Sequence, residues 1–125
     1  MNLVLDAGAL IALERRDRKV AGLIELARRA DAGLVTSAPV LGQVWRHGGR
    51  QVALARLMPL LDVRAAGIAE ARAAGRLLGR SDTADVVDAL LALVAVPGDQ
   101  ILTGDPDDLR LLAESREIPV TVVAV

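Results

Sequence analysis

The chain of 125 residues contains no cysteine, phenylalanine or tyrosine, and it has one tryptophan and one histidine. Without cysteine it can form neither a disulfide bond nor a thiolate zinc site. Because His47 is the only histidine, a histidine-based metal site is excluded as well. A bound metal would need oxygen ligands, which favours hard cations such as Mg²⁺ or Mn²⁺.

The chain also lacks a long apolar run. Its N-terminal apolar segment is interrupted at Asp6, and no stretch reaches the roughly 20 apolar residues that span a bilayer. A basic segment followed by an apolar one, the pattern of a secretory signal, is missing too. These absences predict a cytoplasmic protein with no membrane association.

Apolar residues make up 53% of the chain and charged residues 25%, which is typical of a folded globular protein. The core is expected to consist of Leu, Val, Ile and Ala. The net charge is −1, and all the basic residues except Lys19 are arginines. Arginine suits phosphate, because its planar guanidinium can bind two oxygens at once. The charge therefore gives weak support for nucleic-acid binding.

Short apolar strands alternate with helical segments along the chain. The first strand, at residues 2–5, is apolar without alternation, as expected inside a parallel sheet. Between residues 18 and 30, apolar side chains recur with helical spacing. Further strands are predicted at residues 34–36, 60–64, 100–103 and 120–123. This alternation predicts a parallel α/β sheet with right-handed crossovers, formed by one domain over residues 1–125.

Local signals predict where helices end. Gly33 is expected to end the helix before the second strand, and Gly48-Gly49 to form a turn. Residues 81–83 are expected to cap the helix at residues 84–96.

Two aspartates directly follow predicted strands. Asp6 follows the first strand, and Asp105 follows the fourth after one glycine. In open α/β sheets ligands bind beyond the carboxyl ends of the strands, so both acids are expected at one edge if these strands are neighbours. Each can also be explained as a helix N-cap, and Pro106 strengthens that explanation for Asp105. Asp107 and Asp108 are interpreted mainly as first-turn acids.

Asp88 lies in the helical segment VVDALL (86–91), which is apolar on nearly all sides. A lone carboxylate there is costly to bury unless a helix end or an arginine satisfies it. Several carboxylates brought together repel one another unless a cation lies between them. Asp85, three residues earlier, shares a helix face with Asp88 and is a secondary candidate. Like Asp82, it can also be explained as an acid at the start of that helix.

Three segments, taken in order, resemble the PIN-domain family and are most similar to its VapC-type toxin branch. They are LVLDAGAL (3–10), VVDALL (86–91) and LTGDPDDL (102–109). Each motif alone is weak, but the three in order within this length are fairly specific. The resemblance covers the whole chain and implies a three-layer domain, with a small parallel sheet of four or five strands flanked by helices.

The resemblance also implies an activity and partners. It makes Asp6, Asp88 and Asp105 the metal-binding acids of a Mg²⁺- or Mn²⁺-dependent endoribonuclease that cleaves RNA and is silenced by a cognate antitoxin. Ser37 and Thr103 fall where the family often places a small hydroxyl. A homodimer and an antitoxin helix would each cover apolar surface left on so small a domain.

One position departs from the family pattern. Where the family usually carries Glu on the helix after the second strand, this chain has Gln43. Glutamine keeps a carbonyl oxygen that can bind metal or a metal-held water, but it loses a negative charge. Gln43 and Asp85 are therefore expected to assist catalysis directly or through water. The alternatives are that Gln43 faces solvent, and that the chain is a PIN-like RNA- or protein-binding module with weak or no nuclease activity.

Basic and aromatic residues outside the acidic set have two explanations each. Arg46 and Arg50, with Arg15 or Arg16, either hold the RNA backbone or form solvated helix faces. Trp45 either stacks on a base or belongs to the core or an interface. His47 is expected to be an ordinary surface residue.

A phosphate-handling domain of the receiver or phosphatase type would also place acids at strand ends. Such a domain needs a lysine near the aspartate, and Lys19, the only lysine, has no strand before it.

Overall fold

The computed structural model describes every residue from Met1 to Val125. The elements are β1 (Asn2–Leu5), α1 (Ala7–Glu14), α2 (Arg18–Arg29), β2 (Gly33–Ser37), α3 (Ala38–Val44), α4 (Val52–Leu57), β3 (Leu61–Arg64), α5 (Ile68–Ser81), α6 (Val86–Val94), β4 (Gln100–Thr103), α7 (Pro106–Arg116) and β5 (Thr121–Ala124). A 3-10 turn over Met58–Leu60 leads into β3. The predicted alternation of strands and helices is confirmed along the whole chain.

All five strands are parallel, in the order β3-β2-β1-β4-β5. From β1 the chain moves to β2 and β3 on one side, then returns past β1 to β4 and β5 on the other. The strand order therefore reverses between β1 and β4, and a parallel sheet binds ligands beyond such a reversal. Because Leu5 pairs with Leu102, the residues that follow these two strands lie side by side.

The helices form two groups on either side of the sheet. Helix α1 contacts α2, α3 and α4, while α5, α6 and α7 contact one another, and α3 also contacts α6. Right-handed crossovers place the two groups on opposite faces of the sheet, so the domain has three layers. The buried core is made of Leu, Val, Ile and Ala, as predicted. None of the seven helices combines the length and the apolar character that a membrane span requires.

Two predicted helix boundaries are wrong. Helix α2 is followed by Asp31 in the left-handed conformation, with φ 57°, while Gly33 is the first residue of β2. Aspartate tolerates this conformation better than most residues, so no glycine was needed there. The predicted cap at residues 81–83 instead lies where α5 ends, with Asp82 left-handed at φ 54°. The residue that caps α6 is Asp85.

Arg116, at the end of α7, fixes α6 against that helix. Its guanidinium donates hydrogen bonds of 2.7 Å to the Ala92 carbonyl and 2.6 Å to the Ala95 carbonyl. These carbonyls lie at the end of α6, where a positive charge is favourable. Burial lowers the pKa of Arg116 from its ordinary value. The helix that carries Asp88 is thereby held in place at its far end.

Candidate metal centre

Three carboxylates converge beyond the carboxyl ends of β1 and β4. One oxygen from each of Asp88, Asp105 and Asp108 lies within 4.8 Å of the other two. Asp88 is buried, Asp108 is half-buried and Asp105 is exposed, so the group opens toward solvent on one side. Oxygen ligands bind Mg²⁺ and Ca²⁺ at roughly 2.0–2.6 Å, so this spacing allows all three acids to bind one cation.

Asp88 is the buried member of this group, with 8% of its surface exposed. Its burial, and then the negative charges of Asp85, Asp6, Asp105 and Asp108, raise its pKa to about 7. No ion pair in the structure involves any of these residues, because the four ion pairs join other acids to arginines. An arginine therefore does not balance the charge of Asp88, and a bound cation would favour its ionised form.

Asp6 is both a helix N-cap and an acid at the sheet edge, the two roles that its sequence position allowed. It is the N-cap of α1, and its Oδ1 accepts a hydrogen bond of 2.6 Å from the Ala7 N–H. Its Oδ2 accepts one of 2.5 Å from the Thr103 hydroxyl. Asp6 is outside the set of three converging acids, yet its charge is among those that raise the Asp88 pKa. Its role as a metal ligand stays a prediction.

Asp105 precedes α7, but its side chain makes no capping hydrogen bond. Its backbone N–H donates a bond of 2.8 Å to the Thr103 hydroxyl oxygen. The same hydroxyl therefore links Asp6 and Asp105, across the boundary between β1 and β4. Because capping does not use the Asp105 carboxylate, that group remains available to a cation.

Asp108 is the residue that sequence reasoning missed. It was interpreted as a first-turn acid of α7, although it lies three residues after Asp105 and so shares a helix face with it. The charge of Asp105, above all, raises the pKa of Asp108 from its ordinary value. Asp107 points elsewhere, is highly exposed and pairs with Arg110 at 3.5 Å. Only one of the two first-turn acids therefore belongs to the acidic group.

Asp85 supports Asp88 from the start of α6. Its Oδ1 accepts a hydrogen bond of 3.0 Å from the Asp88 N–H, which caps the helix. Its charge is also the largest electrostatic contribution to the raised pKa of Asp88. The cap explains its position, and a direct part in catalysis stays a prediction.

Two other predicted positions lie on α3 or beside it. Gln43 is on this helix, as expected, and its side chain is exposed. Ser37 is buried and caps α3, since its hydroxyl accepts a hydrogen bond of 3.3 Å from the Val40 N–H. Ser37 thus has a clear local role, while Gln43 is free to take part in a site or to contact only solvent.

A contact between Gly8 and Gly104 allows the start of α1 to approach the segment that precedes Asp105. A Cβ atom at Gly8, in the first turn of α1, would lie 2.7 Å from the backbone nitrogen of Gly104. No side chain fits there, so α1 and the segment before Asp105 approach each other backbone to backbone. This close approach brings Asp6 and Asp105 to the same part of the sheet edge.

Comparison with known proteins gives a match in fold only. No protein-family model matches this chain, and no curated protein matches its sequence. A chain in the crystal structure of VapBC2 from Rickettsia felis, bound to a DNA fragment from their promoter, is similar with a TM-score of 0.66. The match covers 100% of this chain and 99% of that chain at 13% sequence identity. The chain has a PIN-like fold.

The PIN-like fold confirms the predicted class of domain, a small parallel sheet flanked by helices, here with five strands. At 13% identity the match does not extend to individual residues. The donor set of the acidic group fits a hard divalent cation, because it contains only carboxylate oxygens and no nitrogen or sulfur.

Proposed function

We propose that this chain is a VapC-like endoribonuclease that depends on Mg²⁺ or Mn²⁺. The observation that carries the proposal is the convergence of Asp88, Asp105 and Asp108 at the reversal point of the sheet. The group has no ion pair to neutralise it, so its repulsion is relieved either by a proton retained on Asp88 or by a bound cation. The similarity in fold to a chain of a VapBC2 complex supports the same reading.

The residues divide into those that would hold the ion and those that position them. Asp88, Asp105 and Asp108 would bind it, with Asp6 as a further ligand. A divalent ion bound here would supply Lewis acidity and stabilise the charge that develops during in-line attack on an RNA phosphodiester. Thr103 orients Asp6, and Asp85 holds the start of the helix that carries Asp88.

Without a cation, the negative charge of the acids would oppose RNA binding. A phosphodiester is itself an anion, so the bare acidic group would repel it. The exposed side of the group, at Asp105, is the direction from which a phosphate can approach. Gln43, on the neighbouring helix α3, would assist directly or through water, with a weaker hold on the ion than the usual glutamate.

The proposal includes protein partners, a cognate antitoxin and a second copy of the chain. Several large apolar side chains are exposed, among them Leu26, Ile68 and Val86. A cavity of about 430 Å³, lined mainly by apolar residues, lies beside α6. Apolar surface of this kind supports a protein partner. Sedimentation of the purified chain, alone and with the product of an adjacent reading frame, tests both partners.

RNA cleavage tests the nuclease activity. Purified protein is incubated with a structured RNA in Mn²⁺, in Mg²⁺ or in chelator. Cleavage should require the cation, and Asp88→Asn should lower the rate at least about a hundredfold, since a bound metal supplies several kcal/mol of stabilisation. Asp107→Asn is the matched control, because Asp107 is an exposed acid outside the group. Cleavage that persists in chelator would contradict the metal-dependent proposal.

A second function is favoured by the exposed Gln43 in place of an acid. A PIN-like module that binds RNA or protein with weak or no cleavage would keep this fold and lose activity with the missing charge. Under this alternative, wild-type protein binds RNA without cutting it in Mn²⁺, and Gln43→Glu restores cleavage.

A further inference from the structure

The segment between α3 and α4, residues 45–51 (WRHGGRQ), is called the tryptophan loop below. Trp45 is the only tryptophan, and 38% of its surface is exposed. A core residue would be buried, and the largest side chain of the protein is not. Arg46, His47 and Arg50 in the same loop are exposed as well. The loop therefore presents an aromatic ring among basic side chains.

Gln51 restrains this loop through its side-chain amide. Its side-chain oxygen accepts hydrogen bonds of 2.7 Å from the Arg46 N–H and 3.0 Å from the His47 N–H. Its side-chain nitrogen donates one of 2.7 Å to Glu14 and one of 2.7 Å to the Val44 carbonyl. Both hydrogens of the amide and both lone pairs of its oxygen are thus used. These hydrogen bonds restrain the backbone of the loop, which would reduce the entropic cost of binding a ligand there.

The two glycines of the loop make room for its two rings. A Cβ at Gly48 would lie 3.0 Å from Cζ2 of Trp45, and a Cβ at Gly49 would lie 3.2 Å from Cε1 of His47. Each ring therefore lies against backbone that carries no side chain. Cζ2 and Cη2 of the indole lie against Gly48, and 38% of the Trp45 surface remains exposed for a stacking partner.

The charge around the loop favours an anionic ligand. No aspartate or glutamate occurs between Asp31 and Asp62 in the sequence, and Glu14, the acid hydrogen-bonded to the loop, accepts from Gln51. None of the arginines in that interval takes part in an ion pair, as is true of most arginines in the chain. Arg46 donates through Nη1 to the Gly42 and Trp45 carbonyls, which leaves the rest of its guanidinium free. Unpaired cations beside an exposed aromatic ring match the chemistry of single-stranded nucleic acid.

The position of the loop connects it to the acidic group. Helix α3 begins at Ala38, directly after β2, and its 7 residues span about 10 Å. The hydrogen bond from Gln51 to Glu14 ties the loop to the end of α1, the helix that begins beside Asp6. Arg15 and Arg16 follow Glu14 and are exposed. The loop thus lies at the end of α1 away from Asp6, and at the end of α3 away from β2.

We infer that the tryptophan loop is a second contact site for single-stranded RNA, in which Trp45 stacks on a base and Arg46 and Arg50 contact phosphates. This inference rests on the proposed function for the identity of the nucleic acid. It adds a binding site that holds the RNA away from the acidic group. Cleavage and loop binding are then separable properties of the protein.

Fluorescence of the single tryptophan reports on this loop alone. The protein is titrated with a ten-nucleotide oligouridylate in chelator, so that binding is measured without cleavage. Stacking should quench the emission as the complex forms. Added salt should weaken binding in proportion to the phosphate contacts made. Binding that leaves the emission unchanged would overturn the inference, and so would an absence of binding.

Variants separate stacking, charge and folding. With labelled oligouridylate, Trp45→Leu should weaken binding roughly 5- to 100-fold, and Trp45→Phe should retain part of the affinity. Arg50→Gln should lower the slope of log affinity against log salt by about 0.7. Arg76→Gln, which removes an exposed and unpaired arginine on α5, is the matched control and should change nothing. Equal effects of Arg50→Gln and Arg76→Gln would contradict a specific site.

Failure of this inference is distinguishable from failure of the proposed function. If Trp45→Leu and Arg50→Gln bind oligouridylate like the wild type while Mn²⁺-dependent cleavage persists, the loop inference is wrong and the nuclease proposal stands. If the wild type binds through Trp45 but never cleaves, the nuclease proposal is wrong and the loop inference stands. Because Arg50→Gln changes an exposed side chain, it keeps the test valid even if Trp45→Leu unfolds.

Discussion

The Thr103 hydroxyl donates a 2.5 Å hydrogen bond to Oδ2 of Asp6, although the two residues are 97 positions apart in the chain. The same oxygen accepts a bond from the Asp105 N–H. One hydroxyl therefore sets the relative position of two acids that follow different strands. Residues that orient metal ligands in this way usually affect metal affinity as well as stability.

Replacement of Thr103 by valine keeps the shape of the side chain and removes both hydrogen bonds. The buried Asp6 carboxylate then loses a donor, which should lower the free energy of unfolding by about 1–3 kcal/mol. Mn²⁺ affinity should fall by roughly 10- to 100-fold. Thr103→Ser keeps the hydroxyl and is the control. Calorimetric titration with Mn²⁺ measures the effect, and equal affinities for the two variants would contradict an orienting role.

The backbone contact between Gly8 and Gly104 predicts a position that tolerates no side chain. Gly8→Ala places a Cβ 2.7 Å from the Gly104 nitrogen, and backbone cannot move aside as a side chain can. The expected loss in the free energy of unfolding is about 1–3 kcal/mol. Gly22→Ala, in α2 with nothing within 4 Å, is the control and should stabilise by about 0.5–1 kcal/mol. Urea unfolding of both variants decides the point.

The raised pKa of Asp88 predicts that metal-free protein loses stability as pH rises. Between its ordinary value of 3.8 and about 7, folded Asp88 retains a proton that the unfolded chain has lost. Since the folded state binds more protons, the free energy of unfolding falls through this window. The expected loss is on the order of 1–3 kcal/mol, reduced by solvent screening in the open group.

Thermal unfolding at pH 5 and pH 8 measures this effect. Asp88→Asn cannot ionise, so the difference between wild type and variant isolates the contribution of Asp88. Mn²⁺ should restore the stability of the wild type at pH 8, because a ligand of the folded state stabilises it. A wild-type profile parallel to that of Asp88→Asn would show that the Asp88 pKa is not raised.

Asp108 and Asp107 are neighbours in the sequence with opposite expected effects. Asp108→Asn removes a carboxylate from the converging group and should lower Mn²⁺ affinity by roughly tenfold or more. Asp107→Asn removes an exposed acid with equal formal charge and should leave the affinity nearly unchanged. If the two substitutions lower the affinity equally, the effect is general electrostatics and Asp108 is not a ligand.

Substitution of Gln43 measures how the missing glutamate of the family pattern affects Mn²⁺ affinity. Gln43→Glu should tighten Mn²⁺ binding by roughly tenfold if this exposed side chain reaches the site, because a carboxylate adds charge to the ligand set. Ala30→Glu introduces the same charge at an exposed position between α2 and β2, at the opposite edge of the sheet, and serves as the distant control. Unchanged affinity in Gln43→Glu would place that residue outside the metal centre.

Much of the architecture was predictable from local patterns. Period and length distinguish the apolar strand before Asp6 from the amphipathic helix at residues 18–30, and their alternation requires a parallel sheet. Strand ends also predicted that Asp6 and Asp105 would lie at one edge. The two wrong helix boundaries also have a local cause. Asp31 and Asp82 adopt left-handed conformations, which cannot be predicted from residue type alone.

The site was predictable in part, for a different reason. Helix spacing shows that Asp105 and Asp108 share a helix face, but it does not show whether that face points to the other acids or to solvent. The sequence around Trp45 likewise allowed its side chain to lie in the core, at an interface or on the surface. Only packing decides among these, because burial depends on which elements lie opposite, and those elements are distant in sequence.

The sequence by itself determined the class of fold, the oxygen-only chemistry of any metal site, and the placement of two acids at strand ends. Residue types and short-range periodicity are sufficient for these conclusions. The tertiary structure decided that β1 and β4 are neighbours, that Asp108 and not Asp107 joins Asp88, and that Thr103 links Asp6 to Asp105. These relationships join residues far apart in the chain, and they exist only once the sheet has brought those residues together.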